Sequence, residues 1–219
     1  MTDPVIGLPL LVVAGWVVRL PPLSPEEGHE AITRAAWAGL ELTEAQQAAL
    51  MRGVRAPDVS LRGLAVFALP SRQPRHALRA HRATSTDEGV RAMRAFLVGR
   101  HRRAVGADEA RPWEGFGEVL HCIQDSFSPG HADRDGPRIL RMKHWGPFDP
   151  REPDEHGFPT DVRDHALVDG VLTDAAREAA AASARYLELA RRHLTARPSA
   201  AEVDAELAAY LDAWVASPG

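Results

Sequence analysis

Residues 112–131 read PWEGFGEVLHCIQDSFSPGH, and this stretch carries the strongest structural and chemical signals of the chain. Proline is common at the first position of a helix, so Pro112 marks a helix start. The apolar residues that follow it recur at helical spacing, at Phe116, Val119, Leu120 and Ile123. On such a helix His121 and Asp125 are four residues apart and share one face. The stretch therefore predicts an amphipathic helix that presents an imidazole and a carboxylate side by side.

Helix signals continue on both sides of this segment. Ser24-Pro25-Glu26-Glu27 combines an N-cap, a proline at the first helical position and a capping-box glutamate. Similar starts and apolar stripes predict helices over residues 24–40, 43–53, 86–103, 160–172, 173–194 and 199–215. The predicted fold class is therefore all-α, a multi-helix bundle with roughly 60% of its residues in helices.

Prolines and glycines mark the connections between these helices. Ala56-Pro57-Asp58 predicts a turn, and residues 60–82 stay ambiguous because Pro70 and Pro74 interrupt them. Residues 128–160 hold six prolines and four glycines, which predicts a long, ordered loop of the kind that often carries function. Strand-like sequence is expected only in the N-terminal arm.

The composition limits the possible classes of protein. The chain has 219 residues, 45% of them hydrophobic, and we expect one domain over 21–219 preceded by an apolar arm or remnant signal segment over 1–20. Twenty-six basic and 30 acidic residues give a net charge of −4, which argues against a polybasic nucleic-acid binder. The single cysteine, Cys122, excludes an internal disulfide and a multi-cysteine zinc finger. Ten histidines are many for this length and are the informative feature.

The longest apolar stretch lies at residues 5–18. Its 14 residues are interrupted by Pro9 and fall short of the ~20 that a membrane-spanning helix needs, so no transmembrane segment is expected. A signal peptide would carry positive charge before its apolar core, and Met-Thr-Asp has none. We therefore expect an uncleaved arm or strand and a cytoplasmic protein. The alternative is a secreted protein cleaved after Val13-Ala14-Gly15, which would begin at Trp16.

A histidine followed four residues later by an acid is a weak signal by itself. The chain holds three such pairs, and its composition predicts about 1.4 by chance. One pair is His121 with Asp125, and another is His165 with Asp169. The longer pattern His121-x3-Asp125-x3-Pro129-x-His131 is specific, because its chance expectation is roughly 0.002.

The run His121-Cys-Ile-Gln-Asp125-Ser-Phe-Ser-Pro129-Gly-His131 resembles the central signature of the zinc-dependent phospholipase C and single-strand-specific nuclease superfamily. The resemblance covers about residues 24–172, and further candidate ligands follow in the family's order. It implies an all-α bundle with a cluster of zinc ions in a cleft, where phosphate esters are hydrolysed. The phospholipase C side of the family is the closer one.

The resemblance implies metal ligands at eight positions: His29, Asp58, His76, His121, Asp125, His131, His165 and Asp169. One ion would bind Asp58, His76, His121 and Asp125. A second would bind His131, His165 and Asp169. A third would bind His29 and share Asp125. In the family the third ion also binds an N-terminal tryptophan, and this chain begins with Met1, so we expect that site to be weak or empty. The chain also lacks the nucleases' Gly-Gly-Asn and has Asp133 where the phospholipases have asparagine.

Some aromatic and histidine positions have competing interpretations. His76 and His81 lie in one short segment, and we favour His76 as the ligand with His81 as the alternative. Cys122 has apolar neighbours and is interpreted as a core thiol. Trp37 is expected to pack at the edge of the core, and Trp145 is the aromatic residue most suited to line a cleft.

The remaining histidines lack ligand spacing. His101 and His193 stand in arginine-rich sequence and are predicted to be surface residues. His144 and His156 belong to the long loop and could touch a substrate, although no spacing demands this role.

Imidazole and carboxylate ligands suit zinc, which lowers the pKa of a bound water to about 7. We therefore predict a phospholipase C-like, zinc-dependent hydrolase of phosphate esters with two or three Zn²⁺ ions, in which Asp58 orients the metal-activated water. The expected partner is a phosphate-ester small molecule or lipid head group, without a stable nucleic-acid partner. The alternatives are a nuclease or nucleotidase, or a biosynthetic or non-catalytic metal-binding protein on the same scaffold. The oligomeric state stays open.

Overall fold

The computed structural model describes residues 10–13, 16–19, 28–59, 70–106, 111–145, 155–156 and 166–217. These residues are mostly helical, as the sequence predicts, and the strands among them are short. The α-helices are α1 His29–Trp37, α2 Glu44–Val59, α3 Thr86–Val105, α4 Pro112–Asp125, α5 Asp174–Ala196 and α6 Ala200–Trp214. A 3₁₀ helix spans Pro70–His76. Among the described residues, no helix combines the length and the apolar character that crossing a membrane requires.

Helix α4 is the centre of the bundle. Eleven of its 14 residues are buried, and it packs against α2, α3 and α5. The predicted apolar face, including Phe116, Leu120 and Ile123, is fully buried. Cys122 is buried beside it, as predicted, and its thiol donates to the Pro74 carbonyl. His121 and Asp125 therefore lie on the helix that has the largest buried share among the described residues.

Helices α2 and α4 touch backbone to backbone where glycines face each other. A Cβ atom on Gly117 would lie 2.3 Å from the Leu50 carbonyl oxygen and 2.7 Å from the Gly53 Cα. A Cβ atom on Gly53 would lie 2.0 Å from the Glu114 carbonyl oxygen. Only glycine leaves room for this approach, which brings the last turns of α2 to the side of α4 that carries His121.

Three helix starts are built by the capping residues that the sequence indicates. Ser85 and Glu88 form a capping box at α3, and Ser199 and Glu202 form another at α6. Thr173 caps α5 by accepting from the Ala176 backbone N–H. The described part of the first helix begins later than the expected Ser24, at His29 after Gly28, and residues 20–27 lie outside the described residues.

Within the described residues, short strands form four pairs. β1 Leu10–Val13 and β2 Trp16–Arg19 form an antiparallel hairpin in the N-terminal arm, where strand-like sequence was expected. β3 Ala132–Asp135 and β4 Arg138–Met142 form a second hairpin, and β5 His144–Trp145 pairs in parallel with β6 Glu155–His156. The expectation that strands are confined to the arm is therefore wrong. Proline and glycine between 128 and 160 mark hairpin turns as well as loop.

The predicted helix over 160–172 is also wrong in its described part. Residues 167–172 form a hairpin of β7 Leu167–Val168 and β8 Val171–Leu172, in which Val168 pairs with Val171. The turn is Asp169-Gly170, and both residues have positive φ angles, of 52° and 76°. An Asp-Gly pair between β-branched residues favours a two-residue hairpin turn over a helix.

Helix α2 continues through the predicted turn at residues 56–58 and ends at Val59, with Pro57 inside it. Proline cannot donate to the carbonyl four residues earlier, so local preference favours a break. The close packing of Gly53 and Val54 against α4 holds the helical path instead. The correction matters because it places Asp58 in the last turn of a helix that is anchored on α4.

The interpretation of His101 and His193 as surface residues is wrong. Their exposed fractions are 0% and 2%, because α3 and α5 turn these two positions toward each other in the core. His101 lies beside the Phe116 ring. Trp37 packs at the edge of the core, as expected.

Candidate metal centre

Six of the eight predicted ligands come together in the structure. His29 begins α1, Asp58 lies in the last turn of α2, and His76 ends the 3₁₀ helix. Helix α4 contributes His121 and Asp125. His131 follows α4 in the tight turn that leads into β3. Asp125 contacts every one of the four histidines and lies at the middle of the group.

One half of the centre surrounds the Oδ2 atom of Asp125. His121 Nε2 lies 3.1 Å from this oxygen, and His76 Nδ1 lies 3.3 Å from it. The two nitrogens are 3.0 Å apart. Asp58 Oδ1 lies 3.7 Å from His121 Nε2 and 3.8 Å from His76 Nδ1. Four ligand atoms at zinc-bond length would stand about 3.4 Å apart in a tetrahedron, and these five separations are close to that value.

The other half surrounds the Oδ1 atom of Asp125. His29 Nε2 lies 3.1 Å from this oxygen, and His131 Nε2 lies 3.8 Å from it. His29 Nε2 is also 4.0 Å from Asp58 Oδ2. The two carboxylate oxygens of Asp125 therefore face two separate sets of imidazole nitrogens, which is an arrangement that suits a carboxylate shared between two ions.

Three of the imidazole rings are held from behind. His121 Nδ1 lies 2.9 Å from the Val54 carbonyl oxygen, and His131 Nδ1 lies 2.5 Å from the His76 carbonyl oxygen. His29 Nδ1 lies 2.9 Å from Gln124 Oε1. Each of these oxygens accepts a hydrogen bond from Nδ1, so Nε2 is the ring nitrogen that faces Asp125. Metal-binding histidines are commonly oriented by such a second hydrogen bond.

Burial and charge shape the protonation of the centre. Burial raises the pKa of the Asp125 carboxyl, but the charges of His121, His131 and His29 outweigh this effect and hold that pKa well below its usual range. Burial lowers the pKa of His29, but Asp125 and then Asp58 raise it more strongly, to about 10. Asp125 Oδ2 is buried and accepts no well-aligned hydrogen bond from the described residues. An anionic carboxylate without such a donor is suited to a cation.

The structure separates the two predicted candidates in the 76–81 segment, because His76 is buried in the centre and His81 is exposed. Asp169 stands at the exposed hairpin turn between β7 and β8, and His165 lies outside the described residues. The helical pairing expected for these two residues is therefore replaced, at Asp169, by a turn. His144 is buried and follows Lys143, whose backbone N–H donates to the His131 carbonyl. His156 lies in β6.

Two groups that orient the candidate ligands were not predicted from the sequence. Gln124 supports His29, and its only signal is an amide placed between the apolar Ile123 and Asp125 on a helix. The Val54 carbonyl oxygen accepts from His121 Nδ1, and no sequence pattern predicts a backbone acceptor on another helix.

The described residues thus include two groups that could hold a metal ion. They are His29 with His121 and Asp125, and Asp58 with His76 and His121, with ligand atoms within 4.8 Å of one another. In comparisons with known proteins, no family model, no curated protein and no solved structure matches the chain.

Proposed function

We propose that this protein is a metal-dependent hydrolase of phosphate esters of the phospholipase C type. The observation that carries the proposal is the convergence of four imidazole nitrogens on the two oxygens of one buried carboxylate, Asp125. Oxygen acceptors fix three of these rings from behind, so their front nitrogens face Asp125, as in the sites where a second hydrogen bond orients metal-binding histidines.

Zinc is the metal that these ligands favour, because imidazole with carboxylate is a common zinc ligand set. Asp58, His76, His121 and the Oδ2 atom of Asp125 would hold one ion. His29 and the Oδ1 atom of Asp125 would contribute to a second, and His131 Nε2 faces the same oxygen at 3.8 Å. Zinc supplies Lewis-acid polarisation of a phosphoryl oxygen and a lowered pKa for water. This ligand set differs from the family's pattern, which assigns His131 and His29 to separate ions.

Asp58 is the residue of the chain best placed to handle the attacking water. Its side chain is 47% exposed, whereas that of Asp125 is 5% exposed. A carboxylate at the open edge of the centre can orient a water molecule and accept its proton, while Asp125 stays occupied by the four imidazoles.

An anionic phosphate ester suits the charge of the centre. Two divalent ions would more than neutralise the two carboxylates of Asp58 and Asp125 and leave the site positive inside a chain of net charge −4. A local positive site of this kind attracts a small phosphodiester or a lipid head group. It does not supply the extended basic surface that stable binding to a polynucleotide needs.

A metal-binding protein without turnover is the second candidate. Five of the six converging side chains are less than a quarter exposed, and such burial also suits a purely structural site. Turnover of a simple ester distinguishes the two.

The direct test is hydrolysis of bis-p-nitrophenyl phosphate by the full chain before and after chelation. We expect turnover that chelator abolishes and that Zn²⁺ restores. Asp125→Asn removes the charge of the shared carboxylate and should reduce kcat/KM at least ~100-fold, within the range seen when metal ligands or their supports are lost.

Asp169→Asn is the matched control. It is the same substitution at an exposed turn with positive φ, which asparagine tolerates well, so activity and stability should be unchanged. Full activity in Asp125→Asn, or in excess chelator, contradicts the proposed function. Zinc binding without turnover of any phosphate ester favours the second candidate.

A further inference from the structure

Gln124 is a buried glutamine whose amide is engaged at both ends. It is 2% exposed and directly precedes Asp125 on α4. Its Oε1 atom lies 2.9 Å from His29 Nδ1. Its Nε2 atom donates to the Thr33 hydroxyl at 2.9 Å and to the Ser183 hydroxyl at 3.4 Å. The side chain therefore connects the metal centre to α1 on one side and to α5 on the other.

The two hydroxyl partners hold the amide in place. Thr33 and Ser183 are both completely buried, so water does not compete for their hydrogen bonds. With the amide nitrogen directed at these hydroxyls, the carbonyl oxygen is directed at His29. That oxygen can only accept, so the facing Nδ1 of His29 carries a proton, and Nε2, 3.1 Å from Asp125 Oδ1, is the nitrogen left to bind an ion.

His29 is the imidazole that most needs such support. Its side chain is 23% exposed, whereas those of His76, His121 and His131 are 7%, 0% and 9% exposed. It also stands at the first residue of a helix, where the preceding Gly28 has a φ angle of 73°. Its ring packs on that of His121, with centroids 4.1 Å apart, but it is the most exposed of the four, so we expect a hydrogen bond from behind to have its largest effect at this position.

We propose that Gln124 is a positioning residue for the metal centre. It sets the tautomer and the plane of the His29 ring, so that Nε2 is offered to the ion shared with Asp125 Oδ1. The inference rests on the proposed metal-dependent function. His121 and His131 use backbone carbonyls as their rear acceptors, so His29 is the one of these three rings whose support is a side chain that mutation can change.

The test measures Zn²⁺ affinity of the full chain by competition with a chromophoric chelator. Gln124→Met keeps the side-chain length and removes the acceptor, so it should weaken one ion about 10- to 100-fold and leave the other unchanged. Gln124→Glu keeps an acceptor for His29 Nδ1, and both hydroxyls can donate to it, so this variant should bind both ions near the wild-type affinity. Gln47→Met is the control, because Gln47 donates to the Leu42 carbonyl away from the centre.

A double-mutant cycle separates positioning from general destabilisation. His29→Ala removes the ring, so adding Gln124→Met to it should cause no further loss of Zn²⁺ affinity. If Gln124→Met fails to fold, Thr33→Val removes one hydroxyl at nearly constant volume and should weaken the same ion by a smaller factor.

The outcomes distinguish this inference from the proposed function. A wild-type chain that binds no Zn²⁺ overturns the proposed function and the inference with it. A wild-type chain that binds Zn²⁺ while Gln124→Met binds both ions equally well overturns the inference alone. Additive losses in the double variant, or failure of Gln124→Glu to restore binding, also overturn it.

Discussion

His101 is a completely buried histidine that is hydrogen-bonded at both ring nitrogens. Its Nδ1 atom lies 3.0 Å from the Tyr186 hydroxyl, and its Nε2 atom lies 2.9 Å from His193 Nδ1. His193 Nε2 in turn lies 3.3 Å from Glu206, a half-exposed carboxylate on α6. A carboxylate can only accept, so the protons run from Tyr186 to His101, from His101 to His193 and from His193 to Glu206. Every nitrogen and oxygen in this hydrogen-bonded series thereby has a partner while His101 is neutral.

The buried position of His101 predicts that the stability of the protein depends on pH. Burial, and then the neighbouring His193, lower the pKa of His101 to about 3. Between pH 3 and the usual value near 6.5 the unfolded chain binds a proton at this residue and the native chain does not, so the free energy of unfolding falls as pH falls through that window. At the low-pH end of this window the free energy of unfolding is lower by roughly 4–5 kcal/mol. Above pH 6.5 the stability that His101 contributes is fully present.

His101→Gln tests this prediction, because an amide keeps a donor and an acceptor but does not titrate. Urea unfolding from pH 7 to pH 4 should show a flatter pH dependence for His101→Gln than for the wild type. His81→Gln changes an exposed histidine and should follow the wild-type curve. Parallel curves for wild type and His101→Gln would mean that His101 is not held neutral.

At the scale of the elements, the crossing of α2 and α4 aligns the side chains of the candidate metal centre. The crossing places the Val54 carbonyl behind His121 and brings Asp58 within reach of its Nε2 atom. Gly117→Ala would put a Cβ atom 2.3 Å from the Leu50 carbonyl oxygen, so the two helices must separate. We expect a loss of roughly 2–3 kcal/mol in the free energy of unfolding, as overpacking costs elsewhere, together with weaker Zn²⁺ binding.

Gly99→Ala is the matched control for this prediction. Gly99 lies inside α3, and a Cβ atom there would meet only an Arg103 nitrogen at 3.8 Å. Alanine exceeds glycine in helix propensity, so Gly99→Ala should stabilise the chain by about 0.5–1 kcal/mol. Chemical denaturation measures both changes. Equal effects from the two substitutions would contradict the backbone contact at Gly117.

At the scale of the whole molecule, the centre ties together segments from α1 to the turn before β3. A metal ion that binds the native arrangement and not the unfolded chain must stabilise the fold. Zn²⁺ at a hundred times its Kd adds about 2.7 kcal/mol, which for a chain of this size raises Tm by roughly 5–10 °C. Scanning calorimetry with Zn²⁺ and with chelator measures the shift.

Asp125→Asn and Asp169→Asn separate specific from general effects of the ion. The Zn²⁺-dependent rise in Tm should disappear in Asp125→Asn and persist in Asp169→Asn. A rise of the same size in both variants would place the stabilising ion elsewhere on the molecule.

Local signals predicted most helix ends, because a cap acts within four residues. Ser199 with Glu202 and Thr173 with Ala176 are examples. The hairpin at Asp169-Gly170 also has a local signal, but the capping signal at Thr160-Asp161 suggested a helix that runs through it. Pro57 predicted a turn, but tertiary packing keeps α2 helical to Val59.

The sequence by itself determined the helical class and the pairing of His121 with Asp125, because both follow from spacing along one helix. Tertiary structure alone decided which distant groups meet them. His76 reaches His121 across 45 positions, and His29 meets Gln124 across 95. It also buried His101 and His193, which arginine-rich sequence assigned to the surface. Such contacts depend on how closely helices approach, as at Gly53 and Gly117, and that distance is a property of two packed surfaces that no single segment contains.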